Sequence, residues 1–206
     1  REIPQSLLDV ANTVLSNSFT LFRSEAKIPN HFWSLRLIPG LELRPPCDLP
    51  VHLGDEDCNK TSSIRYYLDA ETLTCLPFKY SGCGGNENNY ESSIRCHIKC
   101  LPMDYLKCPA NTAPSKREDG SSSCDENNKC PEGSTCRKGF AVGLCCNNTA
   151  IEKYNDNQKP DCGHKKIVMD RSLGYPSILF GKSCDHNFCP EESDCRYGHF
   201  FAFCCK

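Results

Sequence analysis

The eighteen cysteines constrain this chain more than any other feature. Residues 1–46 contain none, and the rest of the chain divides them into three groups of six. The first group is Cys47, Cys58, Cys75, Cys83, Cys96 and Cys100. The second is Cys108, Cys124, Cys130, Cys136, Cys145 and Cys146, and the third is Cys162, Cys184, Cys189, Cys195, Cys204 and Cys205. Even counts allow each group to close its own bridges, although spacing alone leaves many pairings open. Aliphatic residues are sparse, so small modules held by disulfides are expected rather than one large core. Disulfides persist only in oxidising compartments, which places the chain as a secreted, extracellular protein or the ectodomain of a larger one.

Charge and hydropathy exclude other classes. Net charge is −2 with no long basic run, so neither nucleic acid nor an anionic membrane is an expected partner. No apolar run reaches the roughly 18 residues of a bilayer span, so no direct membrane insertion is expected. The chain starts at Arg1 with neither Met nor a signal-peptide pattern, which reads as a processed form or a fragment.

The second and third groups repeat each other. CPEGSTCRKGFAVGLCC from Cys130 and CPEESDCRYGHFFAFCC from Cys189 share C-P-E-x-S-x-C-R-x-G before a pair of adjacent cysteines. Their upstream arms differ in length and read as surface loops. The polar stretch 147–161 reads as a linker between a repeat at 108–146 and a repeat at 162–205. In the Cys-free segment 1–46, Leu7, Leu8, Val10, Ala11, Val14 and Leu15 follow helical spacing after Ser6, so a short helix at about 6–16 is expected. Its stripe of Leu7, Val10, Val14 and Leu15 either packs on a neighbouring module or docks onto a partner protein. The Pro-broken stretch after it reads as an extended tether.

The first group spaces as C-x10-C-x16-C-x7-C-x12-C-x3-C. Cys96 and Cys100 lie on one helical face, and SIRYYLDA and LTCLPFKYSG read as a hairpin turning near Glu71 and Thr72. Residues 47–100 resemble a Kunitz (pancreatic trypsin inhibitor) domain in their last three cysteine spacings, in Tyr66, Tyr67, Phe78, Tyr80 and Tyr90, and in the Asn88–Asn89 pair. The resemblance implies a twisted β-hairpin with a C-terminal helix, paired Cys47–Cys100, Cys58–Cys83 and Cys75–Cys96. The first bridge closes a loop of about 54 residues, worth roughly 4 kcal/mol by loop-closure entropy.

The resemblance also locates a protease-contact surface at Asp57, Cys58, Asn59, Lys60, Thr61, Ser62, Ser81, Gly82 and Cys83. There this chain departs from the family. Asn59 stands at the position that enters a protease S1 pocket. A trypsin-like pocket holds a buried carboxylate, which a neutral Asn leaves unpaired at a cost of several kcal/mol. Asp55-Glu56-Asp57 lengthens the loop by two residues after Gly54, and one more is added between Cys58 and Arg65. Loss of loop preorganisation costs affinity directly. Ser81 replaces the usual Gly. Asn59-Lys60-Thr61 is also an N-glycosylation triplet, as is Asn147-Asn148-Thr149.

The repeats resemble lustrin-type cysteine-rich repeats, which implies a secreted multidomain context without catalytic residues. Zinc is a rival reading for Cys184, His186 and Cys189, but bridged cysteines offer no thiolate, so no metal is expected. Phe200, Phe201 and Phe203 form either a binding patch or the core of their own repeat. No catalytic or nucleotide-binding constellation occurs, so neither an enzyme nor a cofactor is expected. The expected fold class is a small disulfide-rich, multi-module chain: a Kunitz α+β domain, two six-cysteine β-rich modules and an N-terminal helical or extended segment. The expected function is extracellular protein–protein binding with a modified reactive loop that weakens protease inhibition. The second reading is an active serine protease inhibitor with Asn59 or Lys60 as the S1 anchor. Partners are accordingly extracellular or ectodomain proteins, with a serine protease as the alternative.

Overall fold

A computed structural model describes residues 43–102, 105–140, 142–171 and 175–206. The helix expected at 6–16, with Leu7, Val10, Val14 and Leu15, lies outside the described residues, as does the tether after it.

The β-branched and aromatic run after the bait loop forms strand β1 (Ser63–Asp69), and TCLPFKY forms β2 (Thr74–Tyr80). They pair antiparallel from Ser63 opposite Tyr80 to Asp69 opposite Thr74. Asp69 fixes the turn, its Oδ2 accepting from the Thr72 amide at 3.0 Å and the Thr72 hydroxyl at 2.6 Å. Helix α1 (Ser93–Cys100) starts at Ser92, whose hydroxyl accepts from the Arg95 amide. Cys96 is fully buried on its inner face and bridges to Cys75 on β2. The other two bridges of this segment are Cys47–Cys100 and Cys58–Cys83. Asn88 is buried against the hairpin edge. Its Oδ1 accepts from the Leu68 amide, and its Nδ2 donates to the carbonyls of Leu49 and Leu68. One side chain thus satisfies three backbone groups that would otherwise be orphaned.

The second segment holds β3 (Ser123–Cys124), β4 (Ser134–Lys138) and β5 (Gly143–Asn147), with β5 central. After helix α2 (Asn148–Asn157), the third segment adds the pair β6 (Met169–Asp170) and β7 (Ser177–Ile178). It continues with β8 (Phe180–Gly181), β9 (Asp194–Tyr197) and β10 (Ala202–Cys205), with β10 central. Bridges repeat in the same order: Cys108–Cys146, Cys124–Cys136 and Cys130–Cys145, then Cys162–Cys205, Cys184–Cys195 and Cys189–Cys204.

Two features lie beyond what the sequence pattern conveyed. Residues 147–161, expected as a polar linker, contain α2. Asn147 caps it, its Oδ1 accepting from the amides of Thr149 and Ala150. Ala150, Ile151 and Tyr154 then fall on one half-buried stripe. Near its end the buried Asn157 accepts from the amides of Phe200 and Phe201, at 2.7 and 3.0 Å. The polar composition concealed both the stripe and this capping role.

The described segments from residue 43 onward also pack on one another. Phe201 packs with Tyr67, Leu76 and Phe78 of the hairpin and with Ala110 of the second segment in one cluster. Tyr67 meets Phe78 edge-to-face at 5.7 Å, and Tyr154 meets Phe201 at 6.4 Å. Of the three Phe residues near the C-terminus, Phe203 packs within its own segment, against Cys162, Cys205, Ile167, Ile178 and Phe180, whereas Phe201 touches Phe180 and also reaches the hairpin. Small disulfide modules bury little apolar surface alone, so sharing one core covers the exposed face of each.

Candidate functional site

The bait loop runs from Gly54 to Ser62 at one end of the hairpin. Gly54 has φ 95°, and a Cβ there would overlap the Ser81 hydroxyl and lie 2.6 Å from the Cys83 carbonyl, so only glycine fits. Gly82, at φ 105°, lies under the loop, where an added Cβ would lie 2.8 Å from the Cβ of Lys60. The Ser81 amide donates to Leu53 O at 2.8 Å and the Asp55 amide to Cys83 O at 2.9 Å. Beyond Asp55, the Cys58–Cys83 bridge is the tether. Glu56 and Asp57 form a turn, and from Asn59 through Ser62 no hydrogen bond to another described residue is found.

The fold brings the residues picked out above together. Asp57, Asn59, Lys60, Thr61 and Ser62 are exposed, and Cys58, Ser81, Gly82 and Cys83 are half-buried beside them. Asn147, the other triplet Asn, lies elsewhere, exposed at the start of α2. Sequence reading missed Asp55, whose carboxylate closes over Gly84 and fills the space a Cβ would take there. The adjacent Gly84-Gly85 pair was the available signal.

The opposite end of the hairpin is clamped. Lys107 Nζ donates to Thr72 O at 2.7 Å, to Leu73 O and to Thr74 Oγ1 at 3.1 Å. Burial first, then Arg137, pulls its pKa down to about 8, with Asp69 opposing. Asn111 Nδ2 donates to Glu71 O at 3.0 Å. Lys182, from the third segment, lies 3.5 Å from Asp69 and 2.6 Å from Glu71. Nothing in the sequence announces a partner 111 residues away. Among the described residues, no hydrogen bond or ion pair from either repeat reaches 54–63 or 81–85. The hydrogen bonds and ion pairs between the repeats and the hairpin therefore gather at its turn end.

His186 sits in this docking region, its ring edge-to-face with Tyr67 at 5.8 Å. Its Nδ1 is buried with no hydrogen-bond partner among the described residues. Burial holds its pKa below the usual histidine value; Lys182 adds to this, while Asp185 and Asp69 oppose it. The unfolded chain therefore takes up this proton at a higher pH than the folded one. Stability is expected to fall as pH drops from about 6.5 toward the lower folded pKa. Urea titrations from pH 7 to 5 on the parent and on His186→Gln check this: the loss should shrink in the variant, and equal loss in both contradicts it. Cys184 and Cys189 are bridged to Cys195 and Cys204, so they offer no thiolate beside this histidine. The same holds for Cys124, Cys130 and Cys145, whose sulfurs lie within 4.8 Å of one another.

A hairpin and short helix tied by three bridges, with a bait loop across the second, define a Kunitz domain within a small disulfide-rich protein. A profile of the Kunitz/Bovine pancreatic trypsin inhibitor domain matches residues 46–101. A BPTI/Kunitz inhibitor domain-containing protein of Caenorhabditis elegans is 37% identical over 172 residues, covering 84% of this chain and 95% of that protein. The major allergen Ani s 1 of Anisakis simplex is 33% identical over 170 residues, 79% of this chain and 88% of the allergen. Papilin of Drosophila melanogaster is 39% identical over 82 residues, 38% of this chain and 3% of papilin. The chain belongs to the family of BPTI/Kunitz inhibitor domain-containing proteins. Such a domain is an inhibitor domain rather than a catalytic one. The pairing of every cysteine fits an extracellular location, and no helix among the described residues is long and apolar enough to cross a membrane.

Proposed function

We propose that the chain acts outside cells by binding proteins, with a bait loop modified so that protease inhibition is weak. The observation that carries this reading is the exposed stretch from Asn59 to Ser62, without hydrogen bonds to described residues, following the Cys58–Cys83 bridge and bearing the neutral Asn59 where an S1 anchor belongs. A substrate-like inhibitor binds tightly because its loop is rigid before contact, and each freed residue subtracts from affinity. A glycan on Asn59 blocks the pocket outright; the triplet at Asn147 lies away from the loop. The two repeats, of lustrin type, act as spacers or further binding surfaces, and their packing on the hairpin favours the second role. The second reading, an inhibitor anchored by Asn59 or Lys60, draws on the tight seat of Lys60 over Gly82.

Hydrogen exchange tests the loop directly. Amides from Asn59 to Ser62 are expected to exchange as free coil while those of β1 and β2 stay protected. Protection of the loop comparable to β1 overturns the reading.

A further inference from the structure

The two repeats carry the same hairpin tip, and only one tip is occupied. Gly139 donates to Val142 O at 2.8 Å in the first, and Gly198 to Phe201 O at 2.9 Å in the second. Register places Lys138 opposite Gly143 and Tyr197 opposite Ala202, so Val142 stands where Phe201 stands and Phe140 where His199 stands. In the second repeat one residue of the tip is buried, Phe201, 4% exposed against Tyr67, Leu76 and Phe78, while Gly198 and His199 stay exposed; Lys182 of the same repeat, outside the tip, pairs with Asp69 and Glu71 at the turn of that hairpin. An apolar side chain from the tip and a cation from elsewhere in the same repeat thus meet an apolar face edged by carboxylates.

The first repeat has the same chemistry facing water. Phe140 is 98% exposed and Val142 51%, with exposed Arg137 and Lys138 beside them. Among the described residues neither cation forms an ion pair. The hairpin face that would receive such a tip is already filled by the second repeat. A second group of carboxylates lies at the other end of the hairpin, beside the rim of the same apolar cluster. At the bait end Asp55, Glu56 and Asp57 are exposed and form no ion pair with described residues, and near them Val51, Leu53 and Tyr80, packed on one side against the cluster that holds Phe201, remain half exposed.

We propose that the tip bearing Arg137, Lys138, Phe140 and Val142 docks on the Asp55-Glu56-Asp57 end of a second copy of this chain. The occupant follows from charge complementarity: two cations meet three carboxylates, and Phe140 loses its exposure to water. Two copies meeting tip to tip would instead bring four cations together. The contact is head-to-tail, so each copy keeps one free tip and one free loop, and chains grow with concentration unless the rotation closes a ring. The inference rests on the bait loop serving as a protein-binding surface, and it names the partner.

Sedimentation equilibrium on the full chain tests it, using Thr61→Ala protein so that no glycan occupies the loop. Mass is expected to rise with concentration, and association to weaken about tenfold when salt is raised from about 50 to about 500 mM, because exposed ion pairs are screened. Phe140→Ser alone, or the triple change Asp55→Asn, Glu56→Gln and Asp57→Asn, should each leave a monomer. Mixing the two variants should restore dimers and nothing larger, since only one tip and one loop remain competent. All changed side chains are exposed, so each variant should unfold at the parent's midpoint. A monomer throughout, association indifferent to either variant, or a mixture that stays monomeric overturns the inference. Strong protease inhibition would instead overturn the weakened-loop reading and leave the sedimentation result standing.

Discussion

Phe201→Ala is expected to destabilise the protein by about 3–5 kcal/mol, the usual cost of emptying a buried phenyl site. In a chain of this size that lowers the unfolding midpoint by about 10 °C. Phe201 is 4% exposed and belongs to a cluster with Tyr67, Leu76, Phe78 and Ala110. Its ring also lies 5.8 Å from Phe180 and 6.4 Å from Tyr154. The loss should therefore register in both places: amides of β1 and β2 should lose exchange protection along with those of β10. Val142, at the matching position of the first repeat, is half exposed, and Val142→Ala should cost under about 1 kcal/mol. Loss of protection confined to β10 would mean that the hairpin and the second repeat do not share a core.

The second large effect lies in the bait loop. Replacing Asn59 with Arg and deleting Glu56 and Asp57 is expected to raise affinity for a trypsin-like protease by about 10³-fold, equivalent to about 4 kcal/mol. Two terms contribute. The introduced guanidinium pairs with the carboxylate at the base of the pocket, and the shorter loop has less freedom to lose on binding. The remainder of the scaffold already suits the task. Gly54 and Gly82 allow the two loops to approach closely, Cys58–Cys83 ties them, and neither repeat obstructs that end by a hydrogen bond or ion pair among the described residues. Asn59→Arg alone, in the full-length loop, should recover only part of the gain, which separates anchor chemistry from loop length. Inhibition equally weak in both variants would place the defect elsewhere in the domain.

The Kunitz segment was legible because its constraints are local or carried by cysteine spacing. The aromatic runs around Tyr66 and Phe78 pair across a short turn, and Cys96 falls on the inner face of α1. The repeats were legible as repeats because C-P-E-x-S-x-C-R-x-G recurs at fixed offsets. What stayed hidden depends on residues far apart in the chain. Asn157 reads as an ordinary polar residue until the backbone of Phe200 and Phe201 arrives beside it. Lys182 reads as a surface cation until it meets Asp69 and Glu71. His186, weighed as a metal ligand, is instead an aromatic contact of Tyr67. In the bait loop the departures at Asn59 and at Asp55-Glu56-Asp57 were plain in the sequence, whereas the seat of Asp55 over Gly84 required the fold. Composition supported a polar linker at 147–161, and tertiary packing made most of it a helix.

The most direct test is an inhibition titration of the secreted protein against trypsin-, chymotrypsin- and elastase-like proteases, with Thr61→Ala protein alongside. That variant removes the glycosylation triplet and keeps Asn59. The expected result is no tight inhibition by either form from fully folded protein, because the loop itself lacks both anchor and rigidity. Nanomolar inhibition by the parent contradicts the weakened loop outright. Nanomolar inhibition by Thr61→Ala alone contradicts it too, and assigns the block to a glycan on Asn59.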